Sequence, residues 1–140
     1  MTFAQFVEEL TRVALLQPSI RTVVANDVFR LNALPSAKYG VFSFTQGQHR
    51  VNLDGGYVRY VMTLFYVDRL TEDSSNEIEV QSVGISTLTN IVTTLADEFG
   101  VGEWTINTFN QRFADLCAGA YATVPIDVPI DYTCSDEYSS

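Results

Sequence analysis

Between residues 57 and 99 the hydrophobic period changes once, from two to an alternation of three and four, and any fold must house both halves. Tyr57-Val58-Arg59-Tyr60-Val61-Met62-Thr63-Leu64-Phe65-Tyr66-Val67 is rich in aromatic and β-branched residues. Val58, Tyr60, Met62, Leu64 and Tyr66 fall on one face, and Val61, Phe65 and Val67 on the other. A strand apolar on both faces needs cover on both, in mid-sheet or at a subunit contact, so it reads as a central strand. Past an acidic loop, Val80, Gly84, Leu88, Ile91, Val92, Leu95 and Phe99 recur as the stripe of an amphipathic helix. From Asn76 to Phe99 that helix would be roughly 36 Å long. Thr87, Thr89, Thr93 and Thr94 are weak helix formers, so packing has to hold it. Ser74 with Glu77, or Ser75 with Glu79, offers a capping arrangement at its start, and Gly100 offers a left-handed cap at its end.

A chain of 140 residues, 46% hydrophobic, suits one domain with a real core. The reading is a single α+β domain over residues 1–134, mainly antiparallel sheet with an N-terminal helix and one long helix packed on it. Residues 135–140 read as a flexible acidic tail. No apolar run approaches the ~20 residues of a membrane span. Glu8 and Glu9 interrupt the first helical stretch, which reads against a signal peptide. Eight Lys or Arg stand against seventeen Asp or Glu, a formal net charge of -9. That balance disfavours general binding to phosphates, and it leaves self-association to matched apolar surfaces.

The remaining elements follow from local signals. Thr2 and Gln5 have capping-box spacing, and Phe3, Phe6, Val7, Leu10, Val13 and Ala14 form one face of a helix over residues 3–16. Residues 22–32 look extended, with a turn or bulge at Asn26-Asp27. Residues 39–45 form a strand, Val51-Asn52-Leu53 extends a ribbon, and Asp54-Gly55-Gly56 marks a turn before the central strand. Trp104, Ile106 and Thr108 share one face of a short strand. Phe109 and Phe113, one turn apart, predict a short helical turn between Phe109 and Cys117. Ala120, Ala122, Val124, Ile126, Val128, Ile130 and Tyr132 then alternate as a strand, and Pro125 and Pro129 place it at an edge, at bulges or in a projecting arm.

Residues able to do chemistry are sparse. His49 is the only histidine, and no ligand-spaced cluster surrounds it, although Asp54 or Asp68 would be its natural partner. It reads as an exposed turn residue. Asp68, Glu72, Asp73 and Glu77 supply many oxygens without the spacing and glycine of an EF-hand, so they read as a solvated, helix-capping loop. Cys117 and Cys134 lack metal-ligand spacing, and two cysteines in a well-filled domain suggest free thiols in a reducing environment. The Asp54-Gly55-Gly56 turn precedes a strand, the wrong context for a phosphate-binding loop. Nine Phe and seven Tyr could form a stacking platform for RNA, but the basic residues such a platform needs are dispersed. No catalytic, cofactor or metal residues are assigned, and the chain reads as non-enzymatic.

The order of elements resembles the tail-terminator, tail-completion and neck-ring proteins of tailed bacteriophages. The stretches that carry the likeness are Tyr57 to Ser75, the helix Asn76 to Gly100 and the segment Thr108 to Ile130, where a short Phe-containing stretch precedes a Gly-Ala-Tyr-Ala strand. The resemblance implies a non-enzymatic structural virion protein, assembled in the bacterial host cytoplasm, that forms a homo-oligomeric ring at the tail end or the head–tail neck. Its partners would be tail-tube or neck and connector proteins, with no membrane, and DNA would pass through an acidic lumen without sticking. The 120–132 strand and the 39–67 hairpins would be the main assembly elements, with the 68–77 loop facing a lumen or an axial partner. A small-molecule or peptide-binding α+β domain is the competing reading, and an enzyme with residues drawn from remote segments is another.

Overall fold

The computed structural model describes residues 1–25, 40–71, 73, 75–112 and 116–130. It shows an α+β domain whose elements run α1 (Phe3–Leu15), β1 (Thr22–Ala25), β2 (Val41–Gln46), β3 (Arg50–Asn52), β4 (Tyr57–Arg69), α2 (Glu77–Ala96), β5 (Gly100–Val101), β6 (Thr105–Arg112) and β7 (Leu116–Pro129). The main path of the sheet is β1-β2-β4-β7-β5, with β3 also paired to β4 and β6 to β7. Every pairing is antiparallel except β1 with β2. β2 and β3 lie one after the other along one side of β4, and β5 and β6 do the same along β7. At the centre the β4–β7 ladder runs unbroken from Tyr57↔Pro129 to Arg69↔Cys117.

The central strand is where its two apolar faces demanded it. Tyr60, Met62, Leu64 and Tyr66 join Ala120, Ala122, Val124, Ile126 and Val128 in the main core, under both helices. Among the described residues the other face is covered more lightly. Val24, Val41, Val67 and Cys117 make a small second cluster there, with Phe65 and Phe109 half-buried against it.

Both helices form for local reasons and are held by packing. In α1 the Thr2 hydroxyl accepts from the Gln5 N–H at 3.1 Å, and the Thr2 N–H donates to Gln5 Oε1 at 2.7 Å. That closes two otherwise open backbone donors at the helix start. Phe6, Leu10, Val13 and Ala14 are its buried side. The stripe of α2 is buried from Val80 to Leu95, and Thr87 within it shares a 2.7 Å hydrogen bond with Ser19. A Cβ at Gly84 would lie 3.1 Å from the Ala120 Cβ and 3.1 Å from the Tyr66 ring, so the lack of a side chain there lets α2 sit close on β7.

Several expectations are corrected. The cap of α2 is Asn76, with no side-chain bond to the helix amides. Its side chain is engaged instead by the Thr71 N–H at 2.9 Å and the Arg69 carbonyl at 3.4 Å. The Ser75 arrangement is therefore not formed, and Ser74 lies outside the described residues. Positive φ occurs at Gly40 and Gly56, not at Gly100, which opens β5 in extended conformation. The helical turn expected after residue 108 is strand as far as Arg112, because Asn107 and Phe109 gain ladder partners in Tyr121 and Gly119. The part of that turn at 113–115, the 26–32 half of the first extended segment and the 131–140 end lie outside the described residues.

The proline-bearing strand is also not an edge. β7 is paired to β4 on one side and to β5 and β6 on the other. The Pro125 carbonyl accepts from the Gly102 N–H at 3.1 Å, whereas the Ile130 N–H points the opposite way, to Gly56 O at 2.9 Å. In an antiparallel strand the N–H and C=O of one residue point to the same side and alternate along the chain. The nitrogens of Pro125 and Pro129 therefore face the β5–β6 side. Pro125 meets the break at residues 102–104, and Pro129 lies past the end of β5, so no ladder bond is lost at either.

Candidate functional site

His49 is a structural strut more than an exposed turn residue. Between β2 and β3 the ladder to β4 is interrupted, and Val61 opposite must satisfy its backbone differently. Its carbonyl takes the Gly47 N–H at 2.7 Å, and its N–H donates to His49 Nδ1 at 3.2 Å. With Nδ1 accepting, the ring proton sits on Nε2, which is 3.1 Å from Gln46 Oε1 and donates to it. The ring packs 5.2 Å from Phe3 and edge-on to Tyr60 at 5.3 Å. Neither Asp54 nor Asp68 is its hydrogen-bond partner.

The acidic loop braces itself. Asp73 Oδ1 accepts from the Thr71 hydroxyl at 2.8 Å and from the Ser75 N–H at 3.1 Å. Those bonds, the hydroxyl first, hold its carboxyl below the usual range. Asp68 accepts from its neighbour's Arg69 N–H at 2.8 Å and from the Tyr66 hydroxyl at 3.3 Å. Glu77 accepts from the Asn110 side chain. Glu72 lies outside the described residues, as does Cys134. Among the described residues no group of three or more His, Cys, Asp or Glu converges as a cation site. Cys117 is buried in the second cluster, so the sequence positions singled out as chemical are not brought together.

What the fold does assemble is a polar and aromatic sheet face and a set of separate exposed apolar side chains. On the sheet face away from the helices, Arg59 makes a two-pronged ion pair with Asp127 across β4 and β7, at 2.8 and 3.2 Å. That carboxylate raises the guanidinium's pKa further. Along the same face follow the Thr63–Thr123 hydroxyl contact at 3.4 Å and the Phe65–Tyr121 ring contact at 5.9 Å, with Phe109 6.4 Å from Tyr121. At the β3–β4 hairpin Val51 is 66% exposed and Leu53 73% exposed, beside an open depression of about 510 Å³ whose lining includes Arg50, Tyr57 and Arg59. Ile78 on α2 is 75% exposed, and Leu15 and Leu16 end α1 in the open. A second open depression, about 540 Å³, lies at the other end of β4 against Ser19, Arg21, Tyr66 and Asp68. Burial, then the neighbouring Asp68 charge, pushes the Tyr66 hydroxyl well above its ordinary pKa.

Scanned against protein-family models the chain has no match, and a search of the curated proteins finds no significant similarity. No helix among the described residues is long and apolar enough to cross a membrane.

Proposed function

We propose that this chain is a structural subunit of a tailed-phage virion. Copies of it join into a ring at the tail end or the head–tail neck, on the model of the terminator, completion and neck-ring proteins its sequence resembles. The supporting observation is the scatter of large apolar side chains left in solvent at separate places: Val51 and Leu53 on the hairpin, Ile78 on α2, Leu16 after α1. Well-packed single chains expose isolated apolar groups, but a ring subunit needs several different contacts, since each copy meets two neighbours and an axial partner. The net charge of -9 suits a lumen past which DNA slides, because such a wall holds no phosphate electrostatically. Native mass measurement tests the reading, on the chain alone and mixed with candidate tail-tube or neck proteins. A discrete oligomer in either sample supports it, and a monomer in both at high concentration ends it.

A small-ligand domain is the second reading, favoured by the 540 Å³ depression with the Tyr66 hydroxyl in its lining. It expects a monomer or dimer and a ligand-dependent rise in melting temperature.

A further inference from the structure

We infer that the depression at the Asp68 end of β4 is a binding site for a small zwitterion, a molecule that carries both a carboxylate and a protonated amine. The inference rests on the small-ligand reading of that depression and names what it would hold; it is independent of the ring. The walls are fixed by backbone. The Gly40 carbonyl accepts the Arg21 N–H at 2.8 Å and the Thr22 N–H at 3.3 Å, which clamps the turn after α1 to the residue before β2. Gly40 has a φ of +34°, and a Cβ there would lie 1.9 Å from the Ser19 carbonyl oxygen, so the close approach of these two segments requires glycine. A volume of about 540 Å³ falls within the ~300–1,000 Å³ range of small-molecule sites.

The lining brings both signs of charge to one buried hydroxyl. Tyr66 is 2% exposed, and its hydroxyl stands 3.5 Å from where a Gly40 Cβ would be, on the Gly40 side of the depression. Its bond to Asp68 Oδ2 is 3.3 Å, longer than the ~2.5–3.0 Å usual between oxygens. A buried hydroxyl held so loosely gains from a ligand that bonds it better. Arg21 is near enough for its positive charge to offset part of the rise in the Tyr66 pKa. Among the described residues its guanidinium makes no hydrogen bond or ion pair. Asp68 Oδ1 takes the Arg69 N–H at 2.8 Å, whereas Oδ2 has the long tyrosine bond. A simple anion in this depression meets the Asp68 carboxylate, and a simple cation meets Arg21 and Arg69. A zwitterion answers both. Its carboxylate fits the planar fork of Arg21, its ammonium donates to Asp68 Oδ2, and the Tyr66 hydroxyl turns its proton to the ligand carboxylate.

The test is titration calorimetry with the common free amino acids, alongside a set of neutral and singly charged small molecules. The proteins are wild type, Arg21→Gln, Asp68→Asn and, as a control at the other depression, Arg50→Gln. At least one amino acid should bind wild type. Its N-acetyl form lacks the ammonium and its methyl ester lacks the carboxylate, and each should bind about tenfold or more weakly. Arg21→Gln and Asp68→Asn should each weaken the amino acid by a similar factor, while Arg50→Gln binds it as wild type does. Arg21 is exposed, so Arg21→Gln should unfold in urea like wild type and keeps the test valid if Asp68→Asn folds poorly. If singly charged or neutral molecules bind as tightly as any amino acid, or Arg21→Gln binds it as tightly as wild type, the zwitterion site is excluded and the small-ligand reading survives. If nothing in either set binds wild type, both fall.

Discussion

His49 Nδ1 accepts the backbone N–H of Val61 at 3.2 Å, so the only imidazole in the chain stands where a ladder carbonyl would be. The side chain bridges the gap between β2 and β3, and its packing on Phe3 and Tyr60 ties the start of α1 to the same place. Replacing it with alanine leaves a half-buried amide without its acceptor. His49→Ala is expected to cost about 1–2 kcal/mol, read from urea unfolding at neutral pH. Unchanged stability would show that solvent replaces the imidazole freely.

Gly119 is the tightest point of the β4–β7 ladder. A Cβ there would fall 1.7 Å from the Tyr66 carbonyl oxygen and 2.8 Å from its carbon, both backbone atoms of the paired strand. Relief requires the two longest strands to separate. Gly119→Ala should destabilise by about 2–4 kcal/mol, and a variant melting within a degree of wild type would contradict the geometry.

Tyr66 links stability to alkaline pH. Its hydroxyl pKa is raised above the ordinary tyrosine value of 10.0, by burial first and by Asp68 next. A raised folded pKa means a contribution fully present below the unfolded value and lost as pH climbs from there towards the folded one. Wild type should therefore lose stability between about pH 9 and pH 11 more steeply than Tyr66→Phe. Denaturant midpoints at several pH values measure this, and parallel curves for the two proteins would refute it.

Ser43 is fully buried, and among the described residues its hydroxyl has no hydrogen-bond partner. It faces Phe65 across the β2–β4 ladder. A buried orphan hydroxyl costs more than an apolar group of similar shape. Ser43→Ala should be neutral or raise stability by up to ~1 kcal/mol. A loss of more than that by thermal or chemical unfolding would reveal a partner for the hydroxyl.

The parts legible from order alone are those whose burial repeats locally. Phe6, Leu10, Val13 and Ala14 are buried as their spacing says, the Thr2–Gln5 cap forms, and Val80 to Leu95 lie against the sheet. The misreadings share one cause. Pro125 reads as an edge residue until the direction of its nitrogen is known, and that depends on where residues 102–104 pass. The Phe109 stretch has helical spacing, yet Tyr121 and Gly119 provide a strand to pair with. His49 looks idle because Val61, the group it serves, lies twelve positions away.

Sequence alone determined that this chain holds a strand apolar on both faces, followed by a long helix with one buried stripe. Each of those patterns is a property of neighbouring residues and needs no knowledge of the rest. The tertiary structure alone decided the order of the strands: β7 is inside, and among the described residues β6 is paired on one side only. Backbone hydrogen bonding is blind to side-chain pattern, so which margin stays unpaired emerges only once every strand has found its neighbour.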